Sequence, residues 1–217
     1  MMEPYYDRDG ITIYHADCRV VLPFILPSLG QAVLVTDPPY GMAYVSNFSK
    51  YGSTPPIVGD GDTAAREDVL RIWGDRPALV FGTWRCERPS GVVQLLVWDK
   101  GDSPGMGDLS VPWGPAHEEI YVIGTGFVGK RRPNVLRYKT LSAGDAERPD
   151  HPTPKPVPLM RDLISYCPPG ATVVDPFMGS GSTLRAAKDL GRRAIGIEIE
   201  ERYCEDAAKR LAQRVLL

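Results

Sequence analysis

Cysteine and histidine are scarce, at four and three in a chain of 217 residues. Cys18, Cys86, Cys167 and Cys204 are scattered with no Cys-x-x-Cys spacing. That argues against a disulfide framework, indicates no metal, and leaves them as reduced, mostly packed thiols. Long apolar runs are missing as well. The longest candidate, VVLPFILPSLGQAVLV (residues 20–35), is broken by Pro23, Pro27, Gly30 and Gln31. It falls short of the roughly 20 apolar residues that a spanning helix needs. The opening MMEPYYDRDG is acidic and polar, so no secretory signal is expected and a cytoplasmic location is. The chain also lacks an excess of charge of one sign. A formal net charge of −2 gives no overall basic field, so any nucleic-acid footprint has to be local.

What is present suits one soluble α/β domain: 43% apolar and 24% charged residues, with abundant glycine and proline between short elements. Seven apolar runs read as strands: ITIYHA, AVLVT, ALVFG, VVQLLVW, EIYVIG, TVVD and AIGIEI. Most are continuous rather than alternating, as in strands buried on both faces. Helical patterns follow in VPLMRDLISYC, STLRAAKDLG and EERYCEDAAKRLAQRVLL; the last places Tyr203, Ala207, Leu211 and Val215 four residues apart. Strands alternating with helices predict a doubly wound, mostly parallel, seven-stranded sheet. Two strand ends rhyme, VLVTDPPYG and TVVDPFMGSGST. If these strands are parallel neighbours, both Asp-Pro loops open into one crevice at the carboxyl edge, where such sheets bind ligands.

The second of these loops has the form strand, glycine turn, helix. Gly179 and Gly181 permit close backbone approach, and Ser182 and Thr183 are candidate caps for the helix. A phosphate-cradling P-loop is excluded because no lysine precedes the Ser-Thr pair, and a dinucleotide fingerprint wants glycine where Leu184 stands. The next strand ends in Glu198, a carboxylate placed to accept both hydroxyls of a ribose. A nucleoside carrying a sulfonium and an amino-acid tail fits this half better than a pyrophosphate. The plain alternative is a glycine turn beside a solvated glutamate.

The first loop poses a chemical question, because a turn needs neither the acid nor the ring of Asp37-Pro38-Pro39-Tyr40. The exocyclic amine of adenine or cytosine is a poor nucleophile, its lone pair being delocalised into the ring. Asp37 and the Pro38 carbonyl can each accept one N–H and draw the nitrogen toward tetrahedral geometry. The prolines stiffen the loop, and Tyr40 offers a face for a base flipped out of its duplex.

These motifs resemble the S-adenosylmethionine-dependent DNA amino-methyltransferases acting on adenine N6 or cytosine N4. DPPY, then HPTPKP, then DPFMGSGST follow the order of the β class, and the resemblance spans about residues 11–211. It implies a Rossmann-like class I methyltransferase fold and one domain over residues 1–217, with a short target-recognition insertion at about 125–150. It implies a catalytic loop of Asp37, Pro38, Pro39 and Tyr40. The cofactor S-adenosylmethionine would be held by Asp17 at its adenine, Lys155 at its methionine carboxylate, Glu198 at its ribose, and Asp175, Phe177, Gly179, Gly181, Ser182 and Thr183 around its pocket. His117 and Glu118 would lie nearest the target base. One departure is Pro154, where the family commonly has glutamine. Members acting on cytosine more often carry serine at the position of Asp37, so the resemblance favours adenine.

FVGKRRPNVLRYKTL falls where this family places target recognition and carries Lys130, Arg131, Arg132, Arg137 and Lys139 without an acid. With Asn134 these are the expected contacts to double-stranded DNA; a solvated basic loop is the plain alternative. The aromatic stretch MAYVSNFSKYGST (residues 42–54) is expected to gate the flipped base. A homodimer and a cognate restriction endonuclease are the further partners implied, in a bacterial or phage-encoded cytoplasmic enzyme. Competing functions are the same chemistry on RNA or on a protein glutamine, and a silent nucleic-acid-binding module.

Overall fold

The computed structural model describes residues 2–41, 61–102, 110–141 and 154–212. The seven expected strands all form, joined by two short ones, so the sheet has nine strands rather than seven. In chain order they are β1 (Tyr6–Arg8), β2 (Ile11–His15), β3 (Ala32–Thr36), β4 (Ala78–Gly82), β5 (Val92–Asp99), β6 (His117–Ile123), β7 (Val135–Arg137), β8 (Thr172–Asp175) and β9 (Ala194–Glu198). The two additions, β1 and β7, have three residues each, too few to show a period. β1 folds back on β2 through Asp9 and Gly10, both at positive φ as a tight hairpin turn requires. β7 comes from within the expected insertion and lies beside β5.

The spatial order is β1-β2-β9-β8-β3-β4-β6-β5-β7. Strands β2, β9, β8, β3 and β4 run parallel, and β6 is antiparallel to both its neighbours. Helices α1 (Cys18–Ile25) and α2 (Ala64–Trp73) cover one face; α3 (Val157–Ser165), α4 (Ser182–Asp189) and α5 (Glu201–Ala212) cover the other. The continuous apolar runs follow from this three-layer arrangement. In β3, Ala32 and Leu34 enter the core with α1 and α2, while Val33 and Val35 enter the core with the other three helices. On the α1 side Trp73 is fully buried, its indole N–H donating to the Pro77 carbonyl at 3.2 Å.

Cys18, Cys167 and Cys204 are buried, and burial pushes each thiol up to about 12, as inert packed thiols require. No helix among the described residues is long and apolar enough to cross a membrane. The expected gating stretch 42–54, residues 151–153 of the HPTPKP motif, and Val215 lie outside the described residues.

Candidate active site

The carboxyl ends of four parallel neighbours line one edge of the sheet: Glu198 of β9, Asp175 of β8, Thr36 with Asp37 after β3, and Gly82 of β4. The two rhyming Asp-Pro loops therefore open side by side. They are tied by a buried hydrogen bond, the Thr36 hydroxyl donating to Asp175 Oδ1 at 2.7 Å.

Asp175 is almost wholly buried and also accepts the Phe177 N–H at 3.2 Å and a bond from the Thr183 hydroxyl. Burial pushes its carboxyl up to about 6 against the pull of these donors. An acid raised above its unfolded value binds its proton more tightly in the native state. Stability is therefore lost as pH climbs from about 4 through 6. Asp175→Asn keeps an acceptor for Thr36 and Phe177 but carries no charge. It is expected to raise stability at pH 8 by on the order of 1–3 kcal/mol, a gain that fades toward pH 5. Thermal melts of both proteins across that range check this; an equal gain at both pH values would place the benefit elsewhere.

The glycine turn is built differently from the sequence expectation. Gly181, at φ 77°, is itself the N-cap of α4, a left-handed conformation that a side chain would strain. Ser182 and Thr183 occupy the first helical positions instead of capping. Thr183 turns to Asp175, and the Ser182 hydroxyl accepts from the Arg210 guanidinium at 3.2 Å. Glu198 is fixed by backbone donors, the Gly179 N–H at 3.0 Å on Oε2 and the Glu200 N–H at 2.9 Å on Oε1. The carboxylate keeps acceptor capacity for a ligand hydroxyl beyond these backbone donors. Burial raises this carboxyl above the usual range, with the Glu200, Gly179 and Ile199 amides opposing. Asp17 follows β2, whose last residue His15 is paired with Glu198. It caps α1 through the Arg19 N–H at 2.8 Å and binds the Arg19 guanidinium with both oxygens.

On the other side of Asp175, both oxygens of Asp37 are occupied. The Tyr40 hydroxyl donates to Oδ1 at 2.5 Å and the Lys155 ammonium donates to Oδ2. Lys155 is buried, 5.0 Å from the Phe81 ring centroid, with Glu118 Oε2 at 3.3 Å. Glu118 in turn meets Lys100 at 2.6 Å. The result is a line of alternating charge: Asp37, Lys155, Glu118, Lys100. Burial raises the Asp37 carboxyl, with Lys155 only partly opposing. Burial also acts to raise Glu118, but its two lysines outweigh it and hold that carboxyl below the usual range. Lys155 is pulled down by burial and pushed further up by the two acids. Lys155, expected at a cofactor carboxylate, thus already has two carboxylate partners. Sequence reasoning passed over Lys100. The signal available was its place directly after the strand VVQLLVWD. It also missed Cys86, whose thiol donates to the Tyr40 carbonyl at 2.9 Å and couples the loop after β4 to the DPPY turn.

The basic segment is divided between the two ends of the sheet. β6 ends at Ile123 opposite Ala78, the first residue of β4, so the chain leaves it at the end remote from Asp37. Lys130, Arg131, Arg132 and Asn134 follow there and wall a cavity of about 800 Å³ against the C-terminal half of α3. Arg132 is paired with Asp162 at 2.6 Å and covers the Tyr166 ring, and the Asn134 amide donates to the Leu95 carbonyl at 3.0 Å. Arg137 and Lys139 return to the crevice end, where Arg137 binds Asp99 at 2.7 Å and stays largely exposed. His117 is exposed at the same end.

The DNA methylase family matches residues 60–209. YubD of Escherichia coli (strain K12), which carries the name of a methylase, is 44% identical across 90% of this chain and 88% of its own length. The type II methyltransferase M.ScaI of Streptomyces caespitosus is 35% identical, covering 96% of this chain and 84% of its own. Among solved structures, the complex of M1.HpyAVI with S-adenosylmethionine aligns with a TM-score of 0.66 and 25% identity over 94% of this chain and 100% of that one. With two Asp-Pro loops joined at one crevice and these relatives along its length, the chain belongs to the DNA methylase family of S-adenosylmethionine-dependent N6-adenine and N4-cytosine methyltransferases.

Proposed function

We propose that the chain methylates the exocyclic amine of a base flipped out of duplex DNA, with adenine N6 preferred over cytosine N4. The observation that carries this reading is the hydrogen bond from Thr36 to Asp175, which joins the DPPY turn to the glycine turn. A cofactor held on the β8–β9 side and a base held on the β3–β4 side then meet at Asp37. The ends of β8 and β9 carry the carboxylates Asp175 and Glu198, which suit a ribose diol and a cationic ligand better than a pyrophosphate. Asp175 and Glu198 would hold S-adenosylmethionine there. When bound, it supplies a methyl group on a sulfonium, whose carbon–sulfur bond breaks as the new bond to nitrogen forms. Asp37 and the Pro38 carbonyl accept the amine's two N–H groups, free its lone pair from the ring, and Asp37 receives the surplus proton. Asp37 in place of serine supports adenine. Incubating the protein with unmethylated genomic DNA and S-adenosylmethionine, then analysing nucleosides by mass spectrometry, tests this. N6-methyladenine is expected; N4-methylcytosine would overturn the base preference, and no methylated base would send the search to RNA.

The face offered to DNA continues along the same edge beyond Asp37. Trp84 after β4 is 64% exposed, with the Arg85 guanidinium 5.4 Å from its ring centroid, and Trp113 before β6 is 81% exposed. Arg137 and Lys139 complete the edge. Two solvated indoles and adjacent cations suit stacked bases and phosphates. Since stacking is worth roughly 1–3 kcal/mol per base, Trp84→Ala is expected to weaken DNA binding by about tenfold or more and to spare cofactor affinity. Fluorescence anisotropy with a labelled duplex and calorimetry with the cofactor give the two readouts. An unchanged DNA affinity would remove Trp84 from the footprint.

A further inference from the structure

Both acceptor oxygens of Asp37 are engaged, Oδ1 by Tyr40 and Oδ2 by Lys155. Chemistry at an amine requires at least one of them to turn to the substrate. Stacking of a base on the Tyr40 ring would draw its hydroxyl off Oδ1. Lys155 is held by two carboxylates, and as a buried ammonium it can release Asp37 only by closing on the other. A second carboxylate is in place. Glu118 Oε2 stands 3.3 Å from Lys155 Nζ, an ion pair without the alignment of a close hydrogen bond, and it has no other polar partner among the described residues. The other oxygen, Oε1, is held by Lys100 at 2.6 Å.

We infer that Glu118, anchored by Lys100, is the alternative acceptor onto which Lys155 moves as the target amine takes its place at Asp37. Glu118 and Lys100 are on this view positioning residues, acting through Lys155 and touching neither base nor cofactor. A buried acceptor without a close hydrogen bond is costly in a folded protein, and here it faces the cation that has to shift. The line of four charges is neutral in total, so Lys155 changes partner without leaving an unbalanced charge. The alternating order also explains why Glu118 is the more firmly ionised of the two acids. It lies between two lysines, whereas Asp37 has one. The inference rests on the methyl-transfer reading above and adds to it the residues that free the acceptor.

The groups facing Asp37 are Lys155 from the turn before α3, Glu118 from β6, Tyr40 from its own loop and, more distantly, Asp175 from β8. Catalysis needs Asp37 ionised, so activity falls as pH drops through its pKa. Glu118→Gln removes a neighbouring anion and should move that acid limb to lower pH. Lys100→Met removes a cation and should move it to higher pH. The single-turnover rate should drop in Glu118→Gln by on the order of 10- to 100-fold, the penalty of a misplaced reacting group. The assay is methyl transfer from labelled S-adenosylmethionine to unmethylated genomic DNA by full-length protein, with melts and cofactor calorimetry on each variant. Opposite shifts of the acid limb, with the rate loss, support the inference. If Glu118→Gln does not fold, the Lys100→Met shift decides alone. A rate loss with an unmoved pH profile would make Glu118 a structural residue and overturn the inference while leaving the methyl-transfer reading intact. Wild-type protein that transfers no methyl group to DNA would overturn both.

Discussion

Asp37→Ala is expected to lower the rate of methyl transfer by about 10²- to 10³-fold, the usual loss when one preorganised partner of a reacting group is removed, and to leave cofactor affinity unchanged. The separation follows from where the side chain lies. Asp37 sits on the β3–β4 side of Asp175 and is bound by Tyr40 and Lys155, whereas Glu198 is held by backbone amides that include Gly179 and Glu200. The fold should tolerate the change, since Lys155 keeps Glu118 as a counter-charge 3.3 Å away. Calorimetry with S-adenosylmethionine and single-turnover rates on DNA together make the test. If both parameters fell together, Asp37 would belong to the cofactor pocket and the division of the crevice proposed above would be wrong.

Lys155→Met should have the largest effect on stability, a loss of about 3–5 kcal/mol at neutral pH, as for other buried pairs that lose one partner. Asp37 and Glu118 would then face each other in a site where burial already raises the carboxyl of Asp37. Without the ammonium, both acids move upward and hold protons that the unfolded chain releases near its ordinary carboxylate range. The native state then binds more protons than the unfolded one above about pH 4, so stability must fall as pH rises. Urea titrations at pH 5.5 and 8 should show the variant far closer to wild type at the lower pH. A deficit independent of pH would mean that lost packing against Phe81, and not unpaired charge, is responsible.

Much of the architecture was legible because it rests on local patterns. Continuous apolar runs such as AVLVT and ALVFG announce strands buried on both faces, and each of the seven forms. β1 and β7 were not legible, since three residues cannot establish a period, and β7 exists because its backbone pairs with β5, more than thirty residues earlier. Likewise Ser182 and Thr183 have the chemistry of helix caps, but Gly181 enters the left-handed region first and takes the position. The basic run FVGKRRPNVLRYKTL reads as one patch, yet the antiparallel path of β6 carries its first half to the remote end of the sheet and brings its second half back.

By itself the sequence determined the chemistry on offer: an acid, two prolines and a ring after one strand, a glycine turn without a phosphate lysine after another, and a glutamate after a third. Those are properties of residue type and short spacing, and the motif order was sufficient to imply a family. Only the tertiary structure decided which charges neutralise which. Lys155, Glu118 and Lys100 are separated along the chain by intervals that carry no periodic signal, and a buried charge takes whatever counter-charge the packed strands bring near. The sheet brings β3, β6 and the turn before α3 together at one end, so Asp37 and Lys155 become partners across 118 residues.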